Sequence, residues 1–222
     1  MWDPVWEDIF ASQEWGKYPG EELIRFVARG YYRAPNRKDV RFLELGCGPG
    51  ANLWFLAREG FAFCGVDGSP TAVERAARRL DAESPGWREH SSLHVGDIGE
   101  LPFNDGHFDA VIDIEALSCN GYESARAIYA EAARVTRSGG RLFSRTFAEG
   151  SWGDGTGEPA GRDAWRCAEG PLMGKGMCRF TRLGDIPELI APYRADAIEM
   201  LSASYDGRTS VVKEWLISAS RP

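Results

Sequence analysis

Phe42-Leu43-Glu44-Leu45-Gly46-Cys47-Gly48-Pro49-Gly50 is a short apolar run that breaks into glycines. The apolar half reads as a buried strand, and the glycines let the backbone turn sharply where a Cβ would collide with a neighbour or a ligand. Downstream, Leu53, Trp54, Leu56 and Ala57 recur at helical spacing, and Gly60 supplies a stop. Strand, glycine turn and helix in that order place a ligand crevice beyond the carboxyl end of the strand of an open parallel sheet. Taken alone the run is ambiguous, because Gly46, Gly48 and Ala51 also satisfy a loose dinucleotide fingerprint.

The alternation continues outward. Residues 61–66 read as a second strand, and Ser69-Pro70 opens the next helix, with Ser69 as N-cap and Pro70 at the first helical position. Residues 93–95 and 108–114 are further strands, 123–135 is helical, and Ser138-Gly139-Gly140 turns the chain into a strand over 141–147. Such alternation predicts an α/β fold with a parallel sheet covered on both faces. Near the C-terminal end, 195–204 and 210–218 are strand-like with Asp206-Gly207 between them, which predicts an antiparallel pair. Residues 148–180 are glycine-rich and weakly periodic, and read as a long loop. Ahead of the first strand, Trp2, Trp6, Trp15 and Tyr18 predict a helix whose aromatics pack on the domain.

The 222 residues suffice for one α/β domain with a full core. Hydrophobic residues make up 43% and charged residues 27%, an ordinary globular balance. The net charge of −7 lacks the basic footprint that displaces counterions from phosphates, so no nucleic-acid partner is expected. Arg25, Arg29 and Arg33 recur at helical spacing, but with Glu21 beside Arg25 they read as a solvated helix face. The five cysteines contain no C-x-x-C pair, so neither a disulfide framework nor a zinc site is expected, and no metal. Reduced thiols fit a cytoplasmic protein. No segment approaches the ~20 apolar residues that span a bilayer, and residues 1–10 do not read as a secretory signal; no membrane partner is expected.

Two acidic positions give the crevice a chemistry. Asp67 ends the second strand about twenty residues past the glycines, where a carboxylate can accept from both ribose hydroxyls. Gly96-Asp97-Ile98 follows the third strand, where Asp97 can accept from an exocyclic adenine amine while Ile98 packs on the ring. Phe108-Asp109 then leads into the fourth strand, and Gly139-Gly140 precedes the fifth. Each feature is weak alone; their order and spacing are more specific.

From about residue 40 to 147 the chain resembles the class I S-adenosylmethionine-dependent methyltransferases, and the two terminal strands extend the match. The resemblance implies a doubly wound, seven-stranded, mostly parallel sheet of Rossmann-like type, with the last strand antiparallel and inserted beside the fifth. It implies one methyltransferase domain over 1–222: an N-terminal helical cap (1–39), a cofactor-binding core (40–147), a substrate loop or lid (148–180), and a C-terminal helix and strand pair (181–222). The cofactor would be S-adenosyl-L-methionine. Gly46, Cys47, Gly48 and Asn52 would line its methionine end, with Glu44 beneath. Asp67 would hold the ribose with Gly68 and Ser69 nearby, and Gly96, Asp97 and Ile98 would meet the adenine. Asp113, Ile114 and Glu115 would sit near the sulfonium and the acceptor, while Trp15 and Tyr18 look like part of a closing cap.

Catalysis needs alignment first, and for an alcohol acceptor also a base. The candidates are Glu115, Asp113, His107 and Asp163; Glu115 is favoured, with cofactor binding alone equally open to it. No Asn/Asp-Pro-Pro-aromatic run follows the fourth strand, where the chain reads Asp113-Ile114-Glu115-Ala116-Leu117. In this superfamily that run marks methylation of exocyclic nucleobase amines and some glutamines, so a small-molecule acceptor, such as a sugar or natural-product intermediate, is expected. The oligomeric state is not readable. Two rivals remain. An NAD-dependent oxidoreductase is disfavoured by acid around the crevice, where a pyrophosphate would sit, and by the absence of Tyr-x-x-x-Lys. A non-catalytic partner or regulatory protein of the same fold would not need Glu44, Asp67 and Asp97 together.

Overall fold

The computed structural model describes residues 2–222. In chain order the helices are α1 (Val5–Ser12), α2 (Glu21–Tyr31), α3 (Ala51–Arg58), α4 (Pro70–Glu83), α5 (Tyr122–Val135) and the single-turn α6 (Ile186–Leu189). The strands are β1 (Arg41–Leu45), β2 (Ala62–Asp67), β3 (Ser92–Val95), β4 (Phe108–Ile114), β5 (Thr136–Phe147), β6 (Glu158–Gly161), β7 (Ala164–Arg166), β8 (Cys178–Arg179), β9 (Arg194–Tyr205) and β10 (Ser210–Ser220).

Seven strands form one sheet in the order β3-β2-β1-β4-β5-β10-β9. The first five are parallel, and β10 enters antiparallel between β5 and β9. The chain reverses its direction of travel across the sheet between β1 and β4, so a crevice opens where β1 and β4 end. The central strands are almost wholly buried, as continuous apolar runs covered on both faces must be.

One face carries α5 and α6, the other α2 and α3. On α5 the buried residues Tyr122, Ala125, Ile128, Tyr129, Ala132 and Ala133 recur every three or four positions and form one stripe against Val111, Leu142 and Ile217. On the opposite face Phe26, Val27, Leu53 and Leu56 close over Phe42, Phe63 and Ile112. Helix α4 starts where its sequence says it should. Ser69 Oγ accepts from Ala72 N at 3.0 Å and Pro70 occupies the first turn, a cap worth about 1 kcal/mol.

Two expectations need correction. Residues 148–180 are not a featureless loop: β6, β7 and β8 make a small antiparallel sheet over a satellite core of Phe147, Cys167, Leu172, Cys178 and Phe180. Its strands are two to four residues long and separated by glycines, too short to show a period of two. Ser138-Gly139-Gly140 does not precede the fifth strand. It forms a bulge within β5, where the register passes from Phe108↔Thr136 to Ala110↔Arg141.

Candidate active site

The glycine turn after β1 is clamped to the end of β2. Val66 O accepts from Gly46 N at 2.8 Å and from Cys47 N at 3.1 Å, and Asp67 Oδ2 accepts from Gly48 N at 2.8 Å. Gly46 has φ +63°, and a Cβ there would overlap the Ala116 methyl, so the position excludes other residues. With Gly50 N donating to Cys47 O, the amides of Gly46, Cys47, Gly48 and Gly50 are all engaged within the protein. They present no amide nest to a pyrophosphate.

Beyond this turn lies a cavity of about 380 Å³. Its wall brings together Trp15, Tyr18, Glu44, Gly46, Cys47, Gly48, Asn52, Asp67, Gly68, Ile114 and Glu115 from the sequence reading. The titratable wall carries four carboxylates, Asp3, Glu44, Asp67 and Glu115, against the cations Arg145 and Lys175. Glu44 is 2% exposed. Its Oε1 accepts from Asn52 Nδ2 at 2.5 Å, whereas its Oε2 is buried with no partner. Burial raises its pKa to about 8, against the lowering by Asn52. Asp67 is raised by burial and held back by the Ser69 and Gly48 amides. An orphaned carboxylate oxygen in an acidic wall fits a cationic ligand such as an amino acid ammonium.

Glu115 sits one residue past β4 with φ +65°, a left-handed conformation uncommon for a side chain of this kind. Its amide donates to Arg145 O at 2.7 Å, which holds the turn. That turn removes Glu115 from strand alternation and sets it on the cavity wall. Burial, and the nearby Glu214 charge, raise its pKa to about 7 despite Arg145.

Five expected positions lie elsewhere. Asp113 is fully buried beneath α5: Oδ1 accepts from Leu117 N at 3.1 Å, and Oδ2 accepts from Tyr129 Oη at 3.0 Å and Ser144 Oγ at 2.7 Å. Its three hydrogen bonds tie the end of β4 to α5 and β5, and it does not border the cavity. Ser69 is also buried and caps α4, donating through Oγ to Glu7 of α1. Gly96, Asp97 and Ile98 do not border the cavity; Asp97 Oδ1 accepts from Gly99 N at 2.8 Å, and Ile98 packs on the α5-side core. Trp2 lines the cavity instead, with its ring packed onto Gly68.

Sequence reasoning missed Trp2, Phe10, Arg145 and Lys175 in the wall, and Glu214 behind it. Arg145 Nη2 reaches Glu214 Oε2 at 2.5 Å and Glu115 Oε1 at 3.4 Å. The available signal was an acid inside an apolar strand, Val211-Val212-Lys213-Glu214-Trp215-Leu216-Ile217.

Residues 42–140 match a family model described as a methyltransferase domain. Norajmaline N-methyltransferase of Rauvolfia serpentina is 35% identical over 98 residues, covering 44% of this chain and 32% of that protein. The 18S rRNA (guanine-N(7))-methyltransferase of Bos taurus is 32% identical over 127 residues, covering 53% and 42%. The chain therefore spans less than half the length of these relatives, whose names include both a small-molecule and an RNA acceptor. A structure solved in work on the conversion of a disulfide bond into a thioacetal group during echinomycin biosynthesis superposes with a TM-score of 0.70 at 20% identity, covering 98% and 91%. Sheet order, glycine turn and matched segment agree: residues 42–140 are similar to a methyltransferase domain, set in a Rossmann-like fold of the kind the class I S-adenosylmethionine-dependent methyltransferases have.

Proposed function

We propose that the protein transfers a methyl group from S-adenosyl-L-methionine to an oxygen or nitrogen of a small-molecule acceptor. The observation that carries this reading is the buried, unpartnered Glu44 Oε2 in an acid-walled cavity beside the glycine turn. A sulfonium and an ammonium favour the ionised form of that wall, Glu44 releasing its proton as they bind, whereas a pyrophosphate opposes it. Gly46, Cys47, Gly48 and Asn52 would hold the methionine end over Glu44, and Asp67 would receive the ribose beside Gly68. Trp15 and Tyr18 would cover the cofactor as part of a cap over residues 1–39, and the small sheet within 148–180 would contribute Pro171, Leu172 and Lys175 to the closing wall. Bound S-adenosylmethionine supplies an electrophilic methyl group. The protein's part is to align the acceptor in line with the leaving sulfur and to exclude water. Glu115 then receives the acceptor's proton.

The net charge of −7 supports a small acceptor over a nucleic acid. Among the described residues no helix is long and apolar enough to cross a membrane. The free cysteines support a reducing, cytoplasmic setting.

Calorimetry with S-adenosylhomocysteine and, separately, with NAD tests the reading. S-adenosylhomocysteine is expected to bind and NAD not to; the reverse result would discard the proposal. Turnover of methyl-labelled cofactor on a metabolite mixture then identifies the acceptor.

A further inference from the structure

Past Glu115, Arg145 and Pro171 the main cavity is joined by a second chamber of about 240 Å³. Those three residues border both spaces, so the chamber opens beside the point where β4 and β5 end. Its remaining walls are largely apolar, from Phe147, Trp152, Leu201, Tyr205 and Val212. Its polar surface comes from Glu115, Arg145 and Glu214.

Glu214 is the unusual member. It is 3% exposed, and its Oε2 accepts from Arg145 Nη2 at 2.5 Å, yet its Oε1 is buried with no hydrogen-bond partner. Arg145 Nε is also buried and unpartnered. Leaving a buried charged acceptor and a buried donor unpaired is costly, and such atoms in a folded protein call for a ligand. Both residues line the chamber, so one unpaired acceptor and one unpaired donor lie within its wall.

Resting on the methyl-transfer reading above, we propose that this chamber binds the acceptor, and that Glu214 with Arg145 selects an apolar molecule bearing a hydroxyl or amino group and rejects a carboxylate. A hydroxyl or neutral amine donates to Glu214 Oε1 and accepts from Arg145 Nε. A carboxylate has no proton to donate and meets Glu214 and Glu115 as like charges, which costs both the hydrogen bond and the repulsion. Glu115, on the boundary of both spaces, faces the transferring group, a second hydroxyl or amine of the acceptor whose proton Glu214 does not engage. In the transfer, the acceptor's oxygen or nitrogen forms a bond to the methyl carbon. The carbon–sulfur bond breaks with its electron pair remaining on sulfur, and the acceptor's proton passes to the Glu115 carboxylate. Glu214 and Arg145 are thus positioning and specificity residues, distinct from the proton acceptor.

The test uses the full chain saturated with S-adenosylhomocysteine and three probes of one shape: p-cresol, p-toluidine and p-toluate. Binding is read by calorimetry or ligand-observed NMR. The cresol and the toluidine are each expected to bind at least about tenfold more tightly than the toluate. Glu214→Gln should reduce that preference to within about threefold while leaving S-adenosylhomocysteine affinity unchanged. Leu201→Trp, which fills the chamber and keeps Glu214, should remove binding of all three probes. A toluate that binds as well as the cresol, a preference that survives Glu214→Gln, or no probe binding at millimolar concentration overturns the proposal. Failure of the wild-type protein to bind S-adenosylhomocysteine would instead strike the methyl-transfer reading beneath it.

Discussion

Glu115 and Asp113 stand two residues apart, and only one reaches the cavity. In a regular strand they would share a face. The left-handed turn at Glu115 breaks that parity, and nothing in Asp113-Ile114-Glu115-Ala116 announces it, since a Glu at positive φ is imposed by its surroundings. Asp113 therefore turns inward from the cavity wall, and its partners Tyr129 and Ser144 lie on elements the sequence does not pair with it. Glu44 and Asp67 were readable because their positions follow from strand ends and a glycine turn, which local chemistry dictates. The residue-scale prediction concerns Glu115. If it accepts the proton, turnover should rise with pH through a midpoint at about 7, because only the ionised carboxylate acts as base. Glu115→Gln should lower turnover by about 10²–10⁴-fold, abolish that limb and leave S-adenosylhomocysteine affinity within a few-fold. Weakened cofactor binding with unchanged turnover, measured by calorimetry and initial rates, would assign Glu115 to binding instead.

At the scale of elements, α1 is tied across the start of α4. Glu7 accepts from the Ser69 and Thr71 hydroxyls, and these bonds hold its carboxyl below the usual range. The tie brings Trp6, Phe10 and Trp15 into edge and tilted contacts over the cavity and sets Trp2 on Gly68. The N-terminal aromatics announced a packed helix, but not that Trp2 would lie where the ribose end of the cofactor is expected. Tertiary position of a terminal segment is not encoded in periodicity. If Trp2 must withdraw to admit the cofactor, binding carries the cost of that displacement. Trp2→Ala should then tighten S-adenosylhomocysteine binding by about two- to tenfold. Equal or weaker binding in the same titration would make Trp2 part of the cofactor's wall. The small sheet of β6, β7 and β8 imposes a further constraint. Excising 148–180 would remove most of the satellite core and the buried Arg179, which donates to Asn120 O at 2.7 Å, so point substitutions report more cleanly on this segment than deletion.

For the molecule as a whole, the acid-walled cavity leaves its mark on global stability. Glu44 keeps its proton to about pH 8 when folded, against an ordinary 4.5. Between those values the folded state holds a proton that the unfolded chain has released, so stability should fall as pH rises through that window. Denaturant titrations of the ligand-free protein should show this decline, and Glu44→Gln should lessen it, the part due to Glu115 remaining. A wild-type profile already flat from pH 5 to 8 would mean that water or a counterion reaches the carboxylate. The doubly wound order was readable from strand–helix alternation, because each βαβ step has one favoured hand. The bulge in β5 was not, since Ser138-Gly139-Gly140 serves a turn and a bulge equally well.

The left-handed backbone at Glu115 has a thermal corollary. Glycine would occupy that conformation without penalty, so Glu115→Gly should raise the melting temperature, the relief of strain being worth about 1 kcal/mol, while Glu115→Gln should not. An acid standing where glycine would rest unstrained exchanges endurance for chemistry.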